Sequence, residues 1–239
     1  MTTRVACLGD SLTRAQLSVD YLDLLQRRRP PGDVRLTRFG VNGDFAHNLS
    51  RRLDAVIADP FDVITVLIGT NDARASLAGY PVERAMKRKQ LPERPSADWF
   101  QQRLGAAVER LRTQTDATIA LLSLPVLGQQ LDGAAARASQ AYSRMIAEVA
   151  TTNNATYLPL HERQTEELRQ AGPPQIPYRD PTPAASVGVL VQCALLRSSL
   201  DTISRRRGLV LTTDHIHQNS RGAALVAEVI DTWLPTRSA

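Results

Sequence analysis

The sequence predicts a three-layer α/β/α sandwich built on a central parallel sheet of five strands. Two observations carry that fold class. Short apolar runs alternate with segments of helical length, the pattern of βαβ units. One run, Asp62 to Ile68, is almost continuously apolar through Val63, Ile64, Val66, Leu67 and Ile68. A strand of that kind has both faces covered, as in a parallel sheet between helical layers.

The elements follow in order. Arg4 to Leu8 reads as a buried strand. Leu17, Tyr21, Leu22, Leu24 and Leu25 have helical spacing, and Pro30-Pro31-Gly32 stops the helix. Val34 to Phe39 is the second strand and Ala46 to Ile57 a helix. Asp62 to Ile68 is the third strand. The polar, proline-punctuated stretch 79–95 reads as an insertion or mobile loop. Ala97 to Thr113 is helical, Ala117 to Leu124 is the fourth strand, Ala134 to Ala150 is helical, and Thr156 to Leu160 is the fifth strand. The segment 172–183 holds five prolines and reads as irregular. Val187, Leu190, Val191, Ala194 and Leu195 then share one helical face, on a helix extending to about Arg205. That face either packs on the body or caps the active site against an apolar acyl group. Asn219 or Ser220 caps the last helix, whose inner face includes Ala224, Val226, Ala227, Ile230 and Trp233.

The 239 residues suit one domain spanning 1–239, with inserted segments near 79–95 and 172–205. Hydrophobic residues make up 43% and charged ones 22%, enough apolar material for a core without staples. Two cysteines, Cys7 and Cys193, fit a reducing compartment better than a disulfide scaffold. Thr3 to Leu8 leads straight into the first polar motif with no leader pattern. No apolar run approaches the ~18 residues of a membrane span. A cytoplasmic protein without stable membrane insertion is expected.

The net charge is +5. The positive residues are mostly scattered arginines, densest from Arg84 to Arg94. That cluster reads as a solvated loop or as a contact for an anionic partner or substrate. Aromatic residues are 5% of the chain and do not interleave with the basic ones, so no nucleic-acid partner is expected. No Gly-x-Gly-x-x-Gly follows the first strand, which argues against a nucleotide or flavin cofactor.

Four short segments hold the chemistry. Gly9-Asp10-Ser11-Leu12 follows the first strand, Gly40-Val41-Asn42-Gly43 the second, and Gly69-Thr70-Asn71-Asp72 the third. The ends of parallel strands open onto one edge, where ligands bind. Asp214-His215-Ile216-His217 precedes the last helix and can reach the same edge. Ser11 offers a hydroxyl nucleophile and an amide at a helix start; alone it would be a helix cap. Gly43 offers a closely approaching amide, and alone would be a turn residue. Asn71 offers a side-chain N–H, and alone would be a turn former. His217 is the candidate general base, and Asp214, three residues earlier, can fold back onto its imidazole. His215 can replace His217 as base or form a His-x-His pair with it. No second cluster of ligands supports a metal. His47 and His161 read as surface or capping residues.

Together these segments resemble the SGNH hydrolase family, the GDSL esterases and lipases, from Gly9 to His217. The family's four namesake residues fall on Ser11, Gly43, Asn71 and His217. The resemblance implies a flavodoxin-like sandwich and a metal-free, cofactor-free serine esterase acting on small-molecule acyl esters. It implies a catalytic set of Ser11, Asp214 and His217, and an oxyanion hole of Ser11, Gly43 and Asn71. The chain departs from the family twice: His215 stands where glycine is frequent, and Gln218 where proline is frequent. The same apparatus would also serve an acyltransferase delivering to an alcohol or sugar. A non-catalytic binding protein of the same fold is the further alternative.

Overall fold

The computed structural model describes residues 1–195 and 198–235. Its sheet has five parallel strands, β1 (Thr3–Gly9), β2 (Val34–Gly40), β3 (Val63–Leu67), β4 (Thr118–Leu122) and β5 (Thr156–Leu158), in the order β2-β1-β3-β4-β5. That is the flavodoxin-like order, whose switch point lies between β1 and β3. The register sets Gly9 beside both Gly40 and Leu67. The first three polar motifs therefore leave the sheet at one level, on one edge.

Twelve helices cover the sheet among the described residues. Two follow β1: α1 (Ser11–Arg14) and α2 (Tyr21–Arg28). The Asp20 carboxylate caps α2 by accepting the Leu22 and Asp23 amides, so Leu17 lies outside the helix. After β2 come α3 (Ala46–Ser50) and α4 (Asp54–Ile57). One helix was expected there. The break turns Arg52 inward, where its guanidinium donates to Asp44 Oδ2 at 2.8 Å and to the Phe39 and Gly9 carbonyls at 2.9 Å each. These bonds satisfy strand-end oxygens beside the first motif.

β3 leads to α5 (Thr70–Ala75), α6 (Val82–Lys89) and α7 (Ala97–Gln114). The loop expected over 79–95 is corrected by α6. Its Val82 and Ala85 are buried, and Ala85 joins a small cluster with Phe45, Leu91 and Trp99. Lys87, Arg88 and Lys89 occupy its last turn, where cations complement the helix dipole. Two apolar anchors among charged residues were too few to read as a helix from the sequence.

The remaining helices are α8 (Ala134–Thr152), α9 (Leu160–Ala171), α10 (Pro183–Leu195), α11 (Leu200–Arg206) and α12 (Ser220–Trp233). α9 was not anticipated from the sequence, although Leu160, Gln164 and Leu168 are its buried face. The single helix expected to run to Arg205 is two, because the Ser199 hydroxyl starts α11 by accepting the Thr202 amide at 3.1 Å. Val187 and Val191 are exposed and Val189 is buried, the reverse of the expected packing face. Leu190, Ala194 and Leu195 lie outside the described side chains.

Helices α2, α9 and α12 pack together, and α3, α5, α7 and α8 form a second set, giving three layers. The core centres on β1, where Val5, Ala6, Cys7 and Leu8 are fully buried. Asn219 caps α12 by accepting the Arg221 and Gly222 amides, and Val226, Ala227 and Ile230 are buried. Each large side chain buried this way contributes about 1.5–3 kcal/mol.

Candidate active site

Ser11 is the first residue of α1 and stands directly on the end of β1. Asp10 caps that helix, its carboxylate accepting the Leu12 amide at 2.9 Å. The Ser11 hydroxyl lies 3.1 Å from His217 Nε2. His217 Nδ1 lies 2.7 Å from Asp214 Oδ2. Nδ1 therefore carries the proton toward the carboxylate, and Nε2 faces the hydroxyl as acceptor. The other Asp214 oxygen accepts the His217 amide at 2.8 Å and the Ile216 amide at 3.2 Å. The carboxylate thus folds back on its own turn, as the three-residue spacing requires.

Burial alone would raise the Asp214 pKa. The charge and hydrogen bonds of His217 outweigh it and hold the carboxyl below the ordinary carboxylate range. The turn is anchored from outside as well. The Val19 amide donates to the Gln218 carbonyl at 2.8 Å, and the Gln218 amide to Ser18 Oγ at 3.0 Å. Proline, frequent in the family at this position, has no N–H for the second bond.

His215 points away from the pair. Its ring meets Tyr178 edge-on at 5.7 Å, and its carbonyl accepts the Gly128 amide at 2.8 Å. Both Asp214 oxygens are occupied by the turn's own donors, so His217, not His215, is the imidazole paired with that carboxylate. His215 has φ +73°, in the left-handed region that favours glycine. The glycine frequent in the family here has a backbone reason.

Asn71 lies in the first turn of α5 and is buried. Its Nδ2 donates to the Asp44 carbonyl at 2.9 Å and lies 3.4 Å from Asp10 Oδ2. Gly69 ahead of it has φ +118°, and a Cβ there would fall 2.7 Å from the Phe100 ring. Gly43 has φ +71° in the turn after β2. A Cβ on it would meet Lys89 Cε at 3.1 Å and Arg88 Nη2 at 3.2 Å. The basic cluster of the sequence is therefore partly structural. Lys89 pairs with Asp44 Oδ1 at 2.9 Å, beside the Arg52 contact on the other oxygen. Among the described residues, no protein acceptor takes the amide of Ser11 or Gly43.

Two more carboxyls line this edge. Burial raises Asp10 to about 6 despite the Leu12 amide. Burial raises Asp72 to about 8, against the Ala46 amide that its Oδ2 accepts. His47 and His161 are buried, contrary to the surface role expected of them. His47 stacks on Trp99 at 5.0 Å, and His161 Nδ1 lies 3.2 Å from the Leu124 carbonyl.

Sequence reasoning missed Arg74, Tyr178 and Asp180. Arg74 Nη1 donates to Asn71 Oδ1 at 2.9 Å, and Asp180 takes Arg74 Nε and Nη2 at 2.8 and 3.0 Å. Arg74, one helical turn after Asn71, was findable by spacing; Asp180, in the proline-rich segment, was not. Tyr178 and Asp180 also line a cavity of about 490 Å³ with Tyr80, Leu127 and Gln130, and none of Ser11, Asp214 or His217 lines it. Among the described residues no group of three or more His, Cys, Asp or Glu side chains is placed to hold a metal ion. No helix among them is long and apolar enough to cross a membrane.

Fold and site together define an α/β carboxylic ester hydrolase. The sequence profile of the GDSL-like lipase/acylhydrolase family matches residues 7–225, and the chain belongs to that family. No curated relative matches the sequence. Among solved structures, the acetylxylan esterase Axe2 from Geobacillus stearothermophilus is similar at 18% identity and TM-score 0.66, over 98% of this chain and 97% of that one. The acetyl xylan esterase AlAXEase is similar at 20% identity and TM-score 0.70, over 97% and 100%. Mutants of Axe2 described as catalytic replace a serine, and an aspartate and a histidine three positions apart.

Proposed function

We propose that this protein is a serine esterase that hydrolyses small-molecule carboxylic esters through an acyl-enzyme on Ser11. The continuous hydrogen-bonded run from the Ser11 hydroxyl through His217 to Asp214, at 3.1 and 2.7 Å, carries the reading. The catalytic aspartate–histidine spacing of Axe2 equals that of Asp214 and His217 here, which supports it.

Ser11 Oγ attacks the ester carbonyl carbon while His217 Nε2 takes its proton. Asp214 fixes the imidazole tautomer and stabilises the imidazolium. The carbonyl oxygen becomes an oxyanion held by the amides of Ser11 and Gly43 and by Asn71 Nδ2. The tetrahedral intermediate collapses as the C–O bond to the alcohol breaks, and His217 returns its proton to that alcohol. Water, deprotonated by the same nitrogen, attacks the acyl-enzyme. The second tetrahedral intermediate collapses to the free acid, and Ser11 recovers its proton from His217.

Labelling by an active-site serine phosphonate probe tests the assignment. The parent protein should label and turn over a short-chain aryl ester, and Ser11→Ala should do neither. Labelling or turnover that survives Ser11→Ala would sink the reading.

A further inference from the structure

We propose that Arg74 is a positioning residue that aims the Asn71 amide, and that Asp180, on the inserted 172–183 segment, holds Arg74 in place. The proposal rests on reading Asn71 as an oxyanion donor. The two ends of an asparagine amide have the same shape and opposite hydrogen-bond character, so something must decide which end faces the reacting carbonyl. A guanidinium only donates. Arg74 Nη1 lies 2.9 Å from Asn71 Oδ1, so only the oxygen end can face it. The flipped amide would set two donors against each other. It would also turn Oδ1 toward the Asp44 carbonyl and the Asp10 carboxylate.

With Oδ1 fixed, Nδ2 faces the residue next to Ser11. One of its hydrogens goes to the Asp44 carbonyl at 2.9 Å. The other meets Asp10 Oδ2 at 3.4 Å, a long contact that a developing oxyanion can replace. A cation on Oδ1 also polarises the amide, making its N–H groups stronger donors.

Arg74 is itself held on three sides. Asp180 accepts from Nε and Nη2 in a bidentate pair, which leaves Nη1 for Asn71. The Tyr80 ring lies 5.2 Å below the guanidinium. The Tyr178 hydroxyl donates to Asp180 Oδ1 at 2.8 Å, fixing the carboxylate from behind. Burial disfavours the charge on Arg74, and Asp180 more than offsets it, keeping the guanidinium protonated. A segment 106 residues away in sequence thereby sets the direction of one catalytic-edge amide.

The test is a double-mutant cycle on the full chain, read as kcat and KM for 4-nitrophenyl acetate. Arg74→Lys keeps the charge and loses the fork. It should lower kcat about tenfold, a part of the roughly hundred- to thousand-fold expected for losing the donor itself, and leave KM within about twofold. In an Asn71→Ala background the same substitution should change kcat by less than about twofold, because Arg74 then has no amide to aim. Asp180→Asn, nearly isosteric, should behave the same way with a smaller loss, and it serves if Arg74→Lys does not fold. Equal losses in both backgrounds, or no loss in the parent, would overturn the proposal. Ser11→Ala is run beside them. Activity that survives it fails the hydrolase reading, whereas additive losses with Ser11-dependent activity fail only the role of Arg74.

Discussion

The Asp214–His217 turn, which reaches the Ser11 hydroxyl, and the Asn71 amide, which reaches the neighbouring Asp10, are built in opposite ways. Asp214 and His217 are three residues apart and satisfy each other within one turn, so Asp214 spends all its bonds on that turn. Asn71 draws its partners from residues 10, 44 and 74, and through Arg74 from residue 180. The proposed proton-moving pair is organised locally, while the proposed charge-stabilising group depends on the tertiary fold. Substitutions should therefore act on the first abruptly and on the second through its surroundings.

The largest effect is expected at the local end. Asp214→Asn presents an N–H or the wrong tautomer to His217 and should lower kcat by about 10³- to 10⁴-fold. Asn71→Ala should cost about 10²- to 10³-fold, since the two backbone amides remain. Steady-state kinetics on one ester ranks the two, and the reverse ranking would break the contrast.

The carboxyls of the two regions also respond oppositely to pH. The Asp214 pKa is held below its unfolded value, so its contribution is present above that value and is lost as the pH falls through the folded one. The Asp72 pKa is raised from 3.8 to about 8, so its own contribution is fully present below pH 4 and is lost as the pH rises through about 8. Among the described residues its Oδ1 has no hydrogen-bond partner. Asp72→Asn removes the titration and should make the protein more stable than the parent above pH 8, by about 1–3 kcal/mol. Urea midpoints at pH 5 and pH 9 check it, and an equal offset at both would contradict the assignment.

The smallest expected effect is at His215. His215→Ala keeps the positive φ and loses the Tyr178 contact, and should cost about 1 kcal/mol. His215→Gly loses the same contact but relieves the backbone, and should stay within about 0.5 kcal/mol of the parent. Thermal or urea unfolding of both variants separates ring from backbone.

The same contrast explains what could be read from the letters alone. Strands β1, β3 and β4 were legible because apolar runs report two covered faces, whereas β2 and β5 are half-buried edge strands placed by their alternation with helical segments. Ser11, Gly43 and Asn71 were legible because each follows a strand end, and the pairing of Asp214 with His217 followed from spacing. Helix α6 was not, because its Ala85 buries in a cluster with Phe45 and Trp99 that only folding creates. The inward turn of Arg52 and the Asp180 fork on Arg74 were hidden for the same reason. Each joins residues whose separation in sequence carries no periodic signal.

Ser11 and His217 meet at 3.1 Å across 206 positions of chain. On the proposed reading the nucleophile is therefore synthesised 206 positions before its base. A nascent chain stopped before His217 would hold the serine without that base and should be inert toward esters. On the same reading turnover should begin only once the 214–218 turn has bonded to Ser18 and Val19, so that activity would report the docking of that turn.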